Sequence, residues 1–207
     1  AIALPGNEFG SAPEGYVSVE QMAEVCADEL TAQTDGPLAV YGHCIGSFLA
    51  LELTRQLERR GRRVEFLAVG AAFPFPRLVR WLPYSDPWRF TGDARLHALI
   101  KRWGGPDDAV APEVVRFMLR NFRKDARLAF QYEQNRTKWT IAAPILCIVS
   151  DDDELTRGYR RKYRAWSALS ADVSLAVIGE GRHYFVGTRA ADVAAIVGDY
   201  ATLRATR

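Results

Sequence analysis

Histidine and cysteine are both scarce in this chain, three of each in 207 residues, and that scarcity removes whole classes of function. Cys26, Cys44 and Cys147 are too few and too irregularly spaced for a disulfide framework, which points to a reducing, cytoplasmic setting where a thiol stays free. His43, His97 and His183 stand apart with no ligand-spaced pair, so neither a metal nor an organic cofactor is implied. No apolar run approaches the roughly 20 residues of a membrane span, and Ala1 opens no signal peptide. A net charge of +2 is too small to argue for nucleic acid or lipid as a partner. What is left is a chain long enough to bury one sizeable core.

Short apolar strands alternate with helical patterns along most of the sequence. Leu38 to Tyr41, Val64 to Gly70, Ala143 to Ser150 and Val173 to Ile178 read as buried strands. Between them, Val19 to Leu30, about Ile45 to Arg60 (stopped by Gly61) and Tyr159 to Leu169 read as helices, and Thr188 is placed to cap a last helix reaching about Arg204. This rhythm predicts one α/β domain over 1–207 with a mostly parallel sheet and right-handed crossovers. The rhythm breaks from about 71 to 140, where prolines and aromatics surround two helical stretches, Leu96 to Trp103 and Pro112 to Tyr132. Such an insertion reads as a lid; plain packing of helices on the sheet is the alternative. Two basic clusters, Arg59, Arg60, Arg62 and Arg63, then Arg157, Arg160, Arg161 and Lys162, read as solvated faces, with docking of an acidic protein as the sharper alternative.

The most informative stretch is Gly42-His43-Cys44-Ile45-Gly46. It lies between a predicted strand and a predicted helix, the context of a nucleophile elbow in which a sharp turn lifts the nucleophile above the sheet edge. The flanking glycines are expected where the tight turn leaves no room for side chains. At the start of a helix, unsatisfied amides favour negative charge on the sulfur. Cys44 is therefore the candidate nucleophile, whereas Cys26 and Cys147 fall inside apolar patterns and read as inert core. In an open parallel sheet the chemistry sits beyond the carboxyl ends of the strands. The Asp151–Asp153 cluster and His183 fall at such ends, in the chain order nucleophile, acid, histidine. His183 would exchange the thiol proton, and an aspartate behind it would set its tautomer. Spacing favours Asp153, leaving its neighbours as solvated loop carboxylates; the backbone N–H of Ile45 is the expected oxyanion donor.

Tyr41 to Ser47, continuing into Ala50-Leu51-Glu52-Leu53, resembles the stand-alone (type II) thioesterases of polyketide and nonribosomal peptide synthesis, which carry G-H-S-x-G before a similar helix. Further matches follow in order at Leu4-Pro5-Gly6, Gly104-Gly105-Pro106, Arg123-Lys124-Asp125 leading to Tyr132, and Gly181-Arg182-His183-Tyr184-Phe185, similar to the family's G-G-H-F-F. The resemblance implies an α/β-hydrolase fold and release of acyl groups from the phosphopantetheine arm of an acyl- or peptidyl-carrier protein, with the late aspartate at Asp153. It also implies at least one further strand and helix ahead of Leu4-Pro5-Gly6, missing from this sequence, whose following loop would hold the second oxyanion amide. Cysteine stands where the family has serine. Two other readings compete: a dienelactone-hydrolase-like cysteine hydrolase, which would not need the long insertion, and a non-catalytic hydrolase-fold binding module, which would not need Cys44, His183 and Asp153 together.

Overall fold

A computed structural model describes residues 17–76, 88, 90–106 and 110–206. Ala1 to Leu4, Leu4-Pro5-Gly6 and Trp81 lie outside the described residues. The first helix, α1 (Val19–Gln33), starts where the sequence supplies a reciprocal cap. Ser18 Oγ accepts from the Gln21 N–H, and Gln21 Oε1 accepts from the Val17 N–H. Strand β1 (Leu38–His43) runs into α2 (Gly46–Arg59), and Gly61, at φ 73°, ends that helix in the left-handed conformation glycine adopts freely. Then follow β2 (Val64–Gly70), α3 (Asp93–Arg102), α4 (Pro112–Asn135) and β3 (Ile145–Ser150). The chain closes with α5 (Tyr159–Lys162), a 3-10 turn over Tyr163–Ala168, β4 (Val173–Ile178), α6 (Phe185–Thr188) and α7 (Ala190–Ala205).

The four strands are parallel and lie in the order β1-β2-β3-β4. Register aligns His43 with Gly70, Gly70 with Ile148 and Ser150 with Ile178, so the ends of all four strands reach one edge. Side chains alternate across a strand. Leu67, Val69, Ile145 and Cys147 therefore face a core shared with α1 and α2, while Phe66, Ala68, Leu146 and Ile148 face Val193, Ile196 and Tyr200 of α7. A sheet covered on both faces needs unbroken apolar strands, which is what the sequence shows.

Two expected elements differ. Tyr159 to Leu169 is not one helix, because it changes to 3-10 geometry at Tyr163, where Trp166 turns into the core and donates Nε1–H to the Ala72 carbonyl. Thr188 does not cap the last helix. It ends α6, and Arg189 takes the capping position, its guanidinium reaching Asp192 one turn on. The segment between β2 and β3 divides in function. The first half of α4 presents Val115, Met118, Leu119 and Phe122 to Leu96, Ile100 and Trp103 in a separate small core. Its second half puts Leu128, Ala129 and Tyr132 into the main core, so there the plain packing reading holds. No helix among the described residues is long and apolar enough to cross a membrane.

Candidate active site

The turn after β1 is strained at one residue. Cys44 has φ 53°, a left-handed conformation that side-chain-bearing residues adopt at a cost of roughly 1–2 kcal/mol. Its N–H donates to the Gly70 carbonyl (2.7 Å) and its own carbonyl accepts from the Ser47 N–H (3.0 Å), which closes the turn. The expectation that both flanking glycines avoid a clash holds at only one of them. A Cβ on Gly42 would sit 2.4 Å from the Gly46 carbonyl oxygen, whereas one on Gly46 would meet nothing within 4 Å. The crowding is one-sided because Gly42 is sealed between strand and helix while Gly46 opens the helix outward. No backbone hydrogen bond among the described residues engages the Ile45 N–H, which follows Cys44 directly and leads α2.

The loops after β3 and β4 meet at a buried pair. His183 Nδ1–H donates to Asp153 Oδ2 at 3.0 Å, with the two residues 2% and 4% exposed. Asp153 also accepts from the Leu155 N–H and the Thr156 hydroxyl, both at 2.9 Å. Burial pushes its pKa up, yet the hydrogen bonds and the positive His183 outweigh this and hold it below the usual carboxylate value. Burial likewise pulls the His183 pKa down, but the Asp153 bond and the adjacent Cys44 overcome it and raise it to about 9. With Nδ1 committed to Asp153, Nε2 is the enclosed ring nitrogen left to interact with the adjacent Cys44. Of the three candidate residues, His183 and Asp153 are hydrogen-bonded, and Cys44 and His183 line one cavity. His97 stays apart, on α3.

Asp151 and Asp152 are exposed, as the reading of them as solvated loop carboxylates expects, and they also accept hydrogen bonds from a neighbouring loop. Asp152 Oδ1 accepts from the Ser150 hydroxyl and from the Gly181 and Arg182 N–H groups, and Asp151 Oδ1 accepts from the Glu180 N–H. They pin a loop in which Glu180 and Arg182 both have positive φ (47° and 51°). The Trp103 carbonyl accepts from the backbone N–H groups of His183 (3.0 Å) and Tyr184 (3.2 Å). Trp103 is presented by the Gly104-Gly105 turn: Gly104 has φ 90°, and a Cβ on Gly105 would lie 2.5 Å from Ile100.

His43, next to Cys44 in the sequence, turns toward Tyr41 and the His183 backbone. Its Nδ1 accepts from the Tyr41 hydroxyl (3.1 Å) and its Nε2–H donates to the His183 carbonyl (2.8 Å). Burial first of all lowers its pKa, to about 4, so it stays neutral at neutral pH. Gly70 makes the space, since a Cβ there would lie 2.6 Å from the Tyr41 hydroxyl and 2.8 Å from His43 Nδ1. Spacing alone gives no sign of Trp103 or His43, because the backbone groups of His183 and Tyr184 that they hold lie far along the chain.

Cys44, Ile45 and His183 line one end of a cavity of about 1080 Å³. Its apolar walls include Phe48, Phe73, Phe75 and Trp139. Phe75 packs between the rings of Phe48 (5.3 Å) and Phe130 (5.6 Å), and the Trp139 ring has Arg55 and Arg136 guanidiniums at 5.1 and 5.6 Å. The other cysteines are sealed away: burial pushes the Cys147 thiol up to about 12 and raises Cys26. Among the described residues, no cluster of three His, Cys, Asp or Glu side chains is placed to hold a metal ion.

A parallel sheet with a strained strand-to-helix turn, and with a buried acid–histidine pair at its carboxyl edge, defines an α/β hydrolase. The chain belongs to the thioesterase domain family, whose model matches residues 1–201. It is 31% identical over 161 residues to thioesterase PikA5 of Streptomyces venezuelae, covering 74% of this chain and 54% of PikA5. It is also 28% identical over 201 residues to the AMB antimetabolite synthetase AmbE of Pseudomonas aeruginosa, covering 95% of this chain and 9% of AmbE. The chain therefore spans about half of the first of these relatives and a small part of the second. Among solved structures, the type II thioesterase BorB from the borrelidin biosynthetic cluster superposes with a TM-score of 0.73 at 25% identity, covering 97% of this chain and 80% of BorB.

Proposed function

We propose that this protein is a thioesterase that releases acyl groups from the phosphopantetheine arm of a carrier protein in polyketide or nonribosomal peptide biosynthesis. One observation carries the reading: Cys44 and an Asp153-locked His183 meet at the end of one large, mostly apolar cavity. The proton that Cys44 and His183 share rests on His183 Nε2, whose pKa is raised to about 9, as the sulfur attacks the thioester carbonyl carbon. The Ile45 N–H stabilises the oxygen anion that forms. Collapse breaks the carbonyl–sulfur bond of the substrate, and His183 returns its proton to the departing thiol. His183 then deprotonates a water, which attacks the Cys44 acyl thioester; the carboxylic acid leaves and the thiol is restored. Asp153 holds the imidazole tautomer and balances its charge throughout. In a single domain, α3 and the first half of α4 serve as the lid, while Phe73, Phe75 and Trp139 shape the acyl-binding walls.

A cysteine nucleophile exchanges one thioester for another, so the acyl-enzyme remains as activated as the substrate. Release to an internal amine or hydroxyl is therefore open to it as well as release to water. The test is intact mass spectrometry after mixing the protein with an octanoyl thioester of N-acetylcysteamine. An octanoyl adduct mapping to Cys44, followed by release of octanoate, is expected. Absence of both adduct and release, with the thiol still alkylated by iodoacetamide, would overturn the assignment.

A further inference from the structure

The two basic clusters of the sequence have opposite surroundings. In the first, Arg60 pairs with Asp28 (2.7 Å), Arg62 with Asp35 (3.8 Å) and Arg63 with Glu65 (2.8 Å), so it is largely neutralised and ties α2 to its neighbours. The second holds Arg157, Arg160, Arg161, Lys162 and Arg164 within eight residues that contain no acid. All five are exposed, and among the described residues none has a carboxylate partner. Arg160 and Arg164 lie over the rings of Tyr159 and Tyr163, which extends their charge along the surface instead of cancelling it.

This run borders the candidate site. It begins four residues after Asp153, and Leu155, Thr156, Lys162, Ala165 and Ala168 from the same stretch line the cavity. Lys138 and Arg136 line it too, and no carboxylate is found among its described lining residues. Like charges crowded at a cavity mouth repel one another, and a partner of opposite sign that docks there gains long-range attraction and a faster encounter.

We propose that residues 157–164, with Lys138, form a docking surface for an acidic protein face, which presents its thioester arm to the cavity. The inference rests on the thioesterase reading above and adds to it where the carrier sits. An acidic face over this rim enters at the mouth lined by Lys162, so the arm need only extend inward to reach Cys44.

The test compares the wild type with R157E/R161E, which alters neither a cavity-lining residue nor a cation stacked on a ring, and with R157K/R161K. The substrates are an octanoyl-loaded acidic bacterial acyl carrier protein and octanoyl-N-acetylcysteamine. With the carrier, R157E/R161E is expected to lose roughly tenfold or more in kcat/KM while R157K/R161K stays within about twofold. The wild-type rate on the carrier should fall as salt rises. With the small thioester, all three proteins should agree within about twofold, without salt dependence. Equal losses on both substrates, or no loss on the carrier, would overturn the docking surface. Binding of the unloaded carrier, followed by fluorescence anisotropy, decides the matter without turnover. If neither thioester is cleaved but carrier binding is salt-sensitive and lost in R157E/R161E, the surface stands and the thioesterase reading fails.

Discussion

His183 and Trp139 line the same cavity and are held there by unlike means. His183 is fixed by directional bonds: Asp153 at its ring, Trp103 at its backbone N–H, His43 at its carbonyl, with Asp152 pinning the two residues before it. Trp139 is held by two guanidiniums against its faces, and its neighbours Phe73 and Phe75 by apolar contact. Even this wall has polar anchors: the buried Glu52 accepts from the Tyr132 hydroxyl and pairs with Arg55, and Glu133 accepts from the Phe75 N–H. Directional bonds hold atoms to a fraction of an ångström, as proton transfer requires. Dispersion and cation–π contacts are non-directional by comparison and let a wall adapt to different chains. The two walls should therefore fail differently.

Removing the reacting atoms is the largest expected effect. Cys44→Ala should lower kcat/KM by roughly 10⁴-fold with the melting temperature nearly kept, and His183→Ala by a similar factor with a lower melting temperature, because it leaves the buried Asp153 without its partner. A residual rate within tenfold of wild type, measured by thiol release, would remove Cys44 from the reaction. Asp153→Asn should cost about 10²–10⁴-fold, mostly in kcat, because an amide no longer selects the tautomer or balances the imidazolium. Urea titration of the two glycine variants addresses the turn itself. Gly42→Ala should destabilise by about 3 kcal/mol, as its Cβ would overlap backbone that cannot retreat, while Gly46→Ala should be neutral or stabilising by up to about 1 kcal/mol. Equal losses at both would refute the one-sided crowding.

On the apolar side, Trp139→Ala should raise KM for an octanoyl thioester roughly tenfold and leave an acetyl thioester within about twofold. If kcat for both fell together, the walls would not be separable. The smallest effect is in pH dependence, and the two histidines act at opposite ends. The His183 pKa is raised in the fold from 6.5 to about 9, so its contribution to stability is complete below pH 6.5 and disappears as the pH climbs toward 9. The His43 pKa is lowered to about 4, so its contribution is complete above pH 6.5 and disappears as the pH falls toward 4. Urea midpoints should decline over both windows, the acid decline being shallower in His43→Gln and the alkaline one in Asp153→Asn. Unchanged slopes in these variants would show that other groups set the pH limits.

Much of the frame was legible because it depends on neighbours in sequence. Strand ends, the helix stop at Gly61 and the placement of Cys44 in a turn all follow from local pattern. The preference for Asp153 among three adjacent aspartates likewise rested only on its distance from the strand end. Pattern gave no sign that the exposed Asp151 and Asp152 also hold a loop, since the N–H groups they accept from lie some thirty residues away. Nor could it separate the two arginine clusters, which look alike in sequence and differ only in whether carboxylates from other elements reach them.

By itself, then, the sequence determined the alternation of strand and helix, the chain order of Cys44, Asp153 and His183, and the family. Each of these is written in local spacing. The tertiary structure alone decided that His43 supports the His183 loop instead of facing Cys44, that Gly42 and not Gly46 is sterically required, and which basic cluster stays unpaired at the cavity mouth. Those outcomes depend on contacts between residues far apart along the chain, and only the packed sheet brings them within hydrogen-bonding or ion-pairing range.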